Sequence, residues 1–192
     1  MKPGDQHMKN TYLTSYFPLM SIILFSLALA IRAELWLLDF LKNIGIYKGM
    51  LEFFSEGGIK LSLLVLLVVV FFMVFAALKL VADTINGLSL LFFSKDSEGD
   101  SLKKIRSGSV IYFAGSALSI ASMYSFIGIG AILLLTTVIY FIYFVHKISQ
   151  DLSVAGIIGI IFFQVVVWAS LLTGVFYLSI KIYNSVMASL PV

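Results

Sequence analysis

The sequence contains no cysteine and few charged residues, histidines or prolines. Without cysteine the chain has no disulfide, no thiolate metal site and no thiol nucleophile. Charged residues make up only 12% of the chain, which is about half the fraction found in soluble domains. The two histidines, His7 and His146, are far apart in the sequence and do not indicate a metal site. These shortages exclude several classes of enzyme and argue against a soluble fold.

Catalytic and nucleotide-binding patterns are missing as well. The sequence has no Ser–His–Asp arrangement, no phosphate-binding glycine loop and no pair of intramembrane aspartates. The net charge of +3 is small and the basic residues are dispersed, which argues against nucleic acid as a partner. We therefore expect a protein that is not an enzyme, that binds no cofactor, and that has no catalytic or metal-binding residues.

Apolar residues, in contrast, are abundant: they make up 60% of the chain, and the mean hydropathy is +1.05. A helix that crosses about 30 Å of hydrocarbon needs roughly 20 mostly apolar residues. Five stretches reach or approach this length, at about 16–31, 59–80, 109–127, 129–145 and 154–180. We predict an all-α fold, a polytopic transmembrane helix bundle of about five helices with short interfacial amphipathic helices. The bundle is expected to form one integral membrane domain over residues 1–192.

Two connecting segments do not read as spans. Residues 33–56 mix apolar and charged side chains near helical spacing and are interrupted at Gly45 and Gly49. We interpret them as two short amphipathic pieces at the membrane interface; a continuation of the first helix beyond the membrane explains the pattern equally well. Residues 82–107 contain an acidic run followed by a basic one, and we predict that they form a cytoplasmic loop.

The first hydrophobic stretch has a rival interpretation as a signal peptide. Basic residues precede it, and the small residues Ala28 and Ala30 resemble a cleavage site. Arg32 and Glu34 follow at once, however, and a further hydrophobic segment continues behind them. We therefore expect this stretch to be retained in the mature protein.

The distribution of basic residues predicts the orientation, because Lys and Arg near helix ends favour the cytoplasmic side. With five spans, eight of the 13 basic residues fall on the side of the N-terminus and five on the other side. The eight are Lys2, Lys9, Lys79, Lys95, Lys103, Lys104, Arg106 and Lys147; the five are Arg32, Lys42, Lys48, Lys60 and Lys181. This bias favours a cytoplasmic N-terminus and an external C-terminus.

Three polar residues near or within the predicted spans are candidate intramembrane polar contacts. Lys79 and Asp83 lie four residues apart near the end of the second span, where they could form a functional pair. A self-neutralising pair at the membrane boundary is the simpler interpretation. Gln164 lies within an otherwise apolar part of the fifth span and must find hydrogen-bond partners on another helix. We expect those partners among Ser116, Ser119, Thr136 and Thr137, with interhelical bonding favoured over contact with a ligand or ion.

Small residues follow one face of the third span. Gly108, Gly115, Ser119 and Ser122 are spaced by seven, four and three residues. This spacing predicts a helix-packing stripe that permits close approach of a neighbouring helix. A pore lining would require more polar groups. His146, beside Lys147 at the predicted membrane edge, is interpreted as an interfacial residue rather than a ligand.

Five sequence blocks resemble a known family. They are MKNTYLTSYFPL from Met8, GMLEFFSEGGIKL (49–61), ALKLVADT (77–84), LSLLFFSKDSEG (88–99) and LKKIRSGS (102–109). Together they resemble the YufK-like family of small membrane proteins from Bacillus-type bacteria. The resemblance implies a multi-pass cell-membrane protein of a Gram-positive cell that starts naturally at Met8. It implies no activity and no functional residues.

Three classes of function are compatible with the sequence. The favoured one is a non-enzymatic accessory or scaffolding protein, whose partners are membrane lipids and either another membrane protein or further copies of itself. The alternative is a small channel or transporter, in which several copies could assemble. An intramembrane enzyme is the least favoured, because it would need carboxylates clustered with Gln164 around one pocket.

Overall fold

The computed structural model describes residues 4–94, 100–150 and 152–189. Within these ranges it also describes the side chains, except those of 4–14, 100, 102 and 103. The described residues form seven α-helices and one 3₁₀ turn. The helices are α1 Gly4–Asn43, α2 Ile46–Phe53, α3 Glu56–Phe93, α4 Asp100–Ile105, α5 Ser109–Ala121, α6 Phe126–Ile148 and α7 Val154–Ser189. The 3₁₀ turn, Arg106–Gly108, joins α4 to α5. The described residues contain no strand, and the predicted all-α helix bundle is confirmed.

Four helices are long and apolar enough to cross a membrane: α1 from Ser15, α3, α6 and α7. The predicted third span, 109–127, is shorter than expected, because α5 has 13 residues and is therefore about 20 Å long. Helix α5 ends at Ala121. After a short turn, Ser125 caps α6 by accepting a hydrogen bond from the Gly128 N–H at 3.1 Å. Serine favours such caps over helix interiors because its hydroxyl competes for backbone groups.

The segment containing α5 nevertheless runs beside α1 through the same layer. At one end Arg106 donates a hydrogen bond to Ser15 Oγ at 2.9 Å. At the other end the Arg32 guanidinium lies 5.2 Å from the centre of the Phe126 ring. The segment thus advances alongside about 25 Å of α1.

The remaining helices alternate in direction. Phe25 of α1 packs against Phe75 of α3, while Leu38 lies in a cluster with Ile59. Higher numbers on α1 therefore meet lower numbers on α3, and the two helices are antiparallel. The same comparison of residue numbers in contact shows that α6 is antiparallel to α5 and that α7 is antiparallel to α3. Five alternating passes would place the two ends of the chain on opposite sides of the membrane, but the orientation itself stays a prediction. Lys2 and Lys95, on which it partly depends, lie outside the described residues, as do the side chains of Lys9 and Lys103.

The segment 33–56 is only partly as expected. Residues 33–43 continue α1, so the second interpretation applies to them, and only α2 is a separate short helix. Gly45 ends the first helix with a left-handed backbone (φ +80°) that glycine adopts without strain. Gly49, in contrast, lies inside α2 and does not interrupt it. Tyr47 holds α2 in place by packing between α1 and α3.

The predicted loop over 82–107 is largely helical. Helix α3 continues to Phe93, and α4 starts at Asp100. The helix extends because its end has an apolar face to bury: Leu90 packs in a cluster with Ile105, Phe144 and Ile160. Only residues 94–99 connect the two helices, and 95–99 lie outside the described residues.

Helix α1 is the most buried of the spanning helices. Its buried face consists mainly of small side chains, including Ser26, Ala28 and Ala30, which are 0% exposed. Small residues allow close helix approach in a membrane, where packing rather than the hydrophobic effect holds helices together. The residues that resemble a signal-peptide cleavage site are therefore part of the core between α3 and α5. Retention of the first stretch stays a prediction.

Candidate functional site

A buried polar contact joins α3 to α7. Gln164 Nε2 donates a hydrogen bond to Asn86 Oδ1 at 2.7 Å and a longer one to Ser89 Oγ at 3.4 Å. Gln164 is 3% exposed and Asn86 8% exposed. Ser89 is fully buried, and its hydroxyl donates to the Asn86 carbonyl at 2.8 Å. The amide that sequence analysis singled out is thus bonded across two helices.

The partners expected for Gln164 were wrong. The hydroxyls of Ser116, Ser119, Thr136 and Thr137 donate to carbonyls of their own helices, at 2.7–2.9 Å. They are unavailable to Gln164 because α7 packs against α3 rather than against α5. The residues missed were Asn86 and Ser89, which were assigned to a loop. Asp83, Asn86 and Ser89 follow one another at intervals of three residues, a spacing that would have placed them on one side of a helix.

The Lys79–Asp83 pair lies one turn before that contact on α3. The Lys79 ammonium and the Asp83 carboxylate form an ion pair along the helix, and both side chains are partly exposed. Two phenol rings, those of Tyr112 on α5 and Tyr140 on α6, pack together in the α5–α6 hairpin. Those two rings are 5.1 Å apart, and Tyr112 donates a long hydrogen bond of 3.4 Å to Thr137 Oγ1. Lys79 and Asp83 therefore bond each other on α3, whereas Gln164 belongs to a separate contact with Asn86.

The predicted packing stripe lies at the closest helix approaches. A side chain added at Gly115 would clash with Thr136 of α6. At Gly108 it would lie 2.8 Å from carbons of both Tyr140 and Tyr143. Ser119 is fully buried, whereas Ser122 is half-buried at the end of α5. These positions serve the packing of α5 against α1 and α6.

Comparison with known proteins places the chain in a family. The model of a family of unknown function, DUF5366, matches residues 34–191. The chain belongs to this family. A second model, of a protein of unknown function, DUF2905, matches residues 3–36. The chain is also 46% identical over 185 residues to the uncharacterized membrane protein YufK of Bacillus subtilis (strain 168), which covers 96% of this chain and 100% of that protein. The resemblance to YufK-like proteins is confirmed, and no solved structure matches the chain.

In the part of the chain that the structure describes, no group of three His, Asp or Glu residues could hold a metal ion. An open groove of about 390 Å³ lies between α6 and α7, where Phe141, Val145 and Ile161 form apolar walls beside His146. Its lining suits a lipid acyl chain. With these apolar surfaces and four spanning helices, the chain is an integral membrane protein.

Proposed function

We propose that this protein is a non-enzymatic accessory or scaffolding protein of the cell membrane that packs against a membrane partner. The observation that carries the proposal is the C-terminal part of α7. Every residue from Ala169 to Ser189 is exposed, whereas the preceding part of α7 packs against α3 through Ile160 and Gln164. A helix that leaves its own bundle presents a surface to other proteins.

Several polar residues of the bundle support the same proposal. Gln164 bonds Asn86, and Lys79 bonds Asp83. Ser116, Ser119 and Thr136 donate to carbonyls of their own helices. These groups therefore have structural partners already, as expected of a protein whose role is assembly.

Affinity purification in mild detergent, with identification of co-purifying proteins, tests the proposal. The informative variant is Tyr183→Ser with Met187→Ser on one face of α7, and the matched control is Leu178→Ser with Ile182→Ser on the opposite face; all four side chains are exposed. We expect a membrane protein or a second copy to co-purify with the wild type and the control but not with the first variant. The proposal would be refuted if the wild type retained neither a membrane protein nor a second copy beyond what an unrelated membrane protein retains as bait.

One observation favours a small channel or transporter as a second candidate. The Lys79–Asp83 ion pair leaves both side chains partly exposed on α3, a helix long and apolar enough to cross a membrane. Charged groups at membrane depth commonly mark ion or substrate paths. Liposomes containing the purified protein would then show a potassium or proton flux that Asp83→Asn abolishes. A flux equal to that of empty liposomes would exclude this candidate for these ions.

A further inference from the structure

The groove between α6 and α7 changes from apolar to polar along its length. Its volume of about 390 Å³ lies within the range of ligand-binding clefts, about 300–1,000 Å³. The residues that line it on α6 share one face of that helix: Phe141, Ile142, Val145, His146 and Ser149. The apolar side chains come first along α6, and Ile161 of α7 forms the opposite wall. His146 and Ser149 follow at the end of the helix, so one end of the groove is polar.

The polar end lies at the level of lipid headgroups. Helix α6 has 23 residues and is therefore about 34 Å long, close to the thickness of about 30 Å of the hydrocarbon layer. Its last turn contains His146 and Lys147 and consequently reaches the boundary of the bilayer. Phe141 and Ile142 lie about one turn deeper, at the level of the acyl chains.

The two basic residues of that last turn have no acceptor in the described part of the protein. Among the described residues, no carboxylate pairs with the Lys147 ammonium and no side chain bonds the His146 ring. His146 is exposed and Lys147 is half-buried. Both can therefore reach a group at the membrane surface, the lysine by laying its apolar stem along the helix. Basic residues at this level attract anionic lipid.

The polarity and the charge together select an anionic lipid as the occupant. An apolar helix of another protein would fill the walls of the groove but would leave Lys147 and His146 without an acceptor. A zwitterionic lipid carries an ammonium group of its own beside the phosphate, and that group repels Lys147. An anionic phospholipid offers an acyl chain to the apolar walls and an uncompensated phosphate to the basic end, where charge-assisted hydrogen bonds hold it.

We propose that the groove between α6 and α7 binds one acyl chain of an anionic phospholipid, whose phosphate is held by Lys147 and His146. The inference does not rest on the scaffolding function. The groove lies at the start of α7, whereas the exposed part of that helix begins at Ala169.

Native mass spectrometry of the purified protein tests the role of the charge. The protein is freed of lipid in mild detergent and titrated separately with phosphatidylglycerol, which is anionic, and with phosphatidylcholine, which is zwitterionic. We expect one phosphatidylglycerol to bind the wild type about five-fold or more tightly than phosphatidylcholine. Lys147→Gln with His146→Gln should remove this preference, and Lys147→Arg should keep it. The matched control is Lys181→Gln, which removes a charge from the far part of α7 and should leave the preference unchanged.

A second pair of variants tests the groove itself. Ile142 lines the groove and is 62% exposed, so Ile142→Trp fills the space without disturbing the packing of the bundle. Val175→Trp is the control, at an equally exposed position of α7 outside the groove (61%). We expect Ile142→Trp to weaken the binding of phosphatidylglycerol several-fold and Val175→Trp to leave it unchanged.

Three results overturn the inference. The first is equal binding of the two lipids to the wild type. The second is a preference for phosphatidylglycerol that survives Lys147→Gln with His146→Gln, since the phosphate is then held elsewhere. The third is unchanged binding to Ile142→Trp, because a lipid held by its headgroup alone does not occupy the groove.

Discussion

Replacing Gln164 by leucine tests whether the α3–α7 contact holds the bundle together. The variant removes the donor that lies 2.7 Å from Asn86 Oδ1 and leaves that oxygen in a side chain only 8% exposed. Interhelical hydrogen bonds in membranes contribute about 0.6 kcal/mol on average and up to ~1.7. A buried acceptor left without its donor costs about 1–3 kcal/mol. Because leucine is itself favourable in an apolar setting, we expect a loss in the free energy of unfolding of about 1 kcal/mol.

The double variant separates the hydrogen bond from the rest of the change. If Gln164→Leu and Asn86→Leu each remove the same bond, their effects do not add, and a double-mutant cycle gives a coupling of about 0.6–1.7 kcal/mol. Ser170→Ala on the same helix is the control, because that exposed hydroxyl bonds only the Val166 carbonyl of its own helix. We expect its effect to stay within about 0.5 kcal/mol.

The assay is reversible unfolding in mixed micelles with increasing SDS, followed by tryptophan fluorescence. Trp168 lies four residues after Gln164 on α7, and Trp36, the other tryptophan, lies on α1. Additive effects of the two leucine substitutions, with no coupling, would refute the structural role. So would a Gln164→Leu protein of normal stability that fails to complement a deletion strain, since that result assigns the amide to a ligand.

Three further predictions follow from the packing and the topology. Gly115→Ala should destabilise the bundle by about 1–3 kcal/mol, because the new methyl group overlaps the α6 side chain beside it. Gly174→Ala, where nothing lies within 4 Å, should be neutral or slightly stabilising; equal effects in the same SDS titration would contradict the packing. N-terminal sequencing of membrane-extracted protein should show that the first stretch is retained, and a start at Ile31 would disprove this. Reporter fusions after Ser97 and at Val192 should give cytoplasmic and external signals respectively, and a cytoplasmic signal at Val192 would contradict the five passes or the orientation.

The existence and approximate position of most helices could be predicted from the sequence, because the bilayer imposes a strong local rule. A stretch of about 20 apolar residues must satisfy its backbone internally, and a helix does so without any partner. The rule identified α1, α3, α6 and α7 without knowledge of their neighbours. The rule located the ends of the helices poorly, however, because those ends depend on contacts with other helices. Helix α3 continues past Asp83 to Phe93 because Leu90 finds an apolar cluster there.

The partners of the polar residues were decided by the tertiary structure alone. The sequence required Gln164 to bond another helix, since lipid offers no acceptor, but nothing local indicated which helix. That choice follows from the antiparallel packing of α7 on α3, which places Asn86 and Ser89 opposite the amide. The exposure of residues 169–189 is likewise invisible in their composition, because a lipid-facing helix and a protein-facing helix are equally apolar. Apolarity determined that these segments are helices in a membrane, and only the arrangement of the helices decided what each of them contacts.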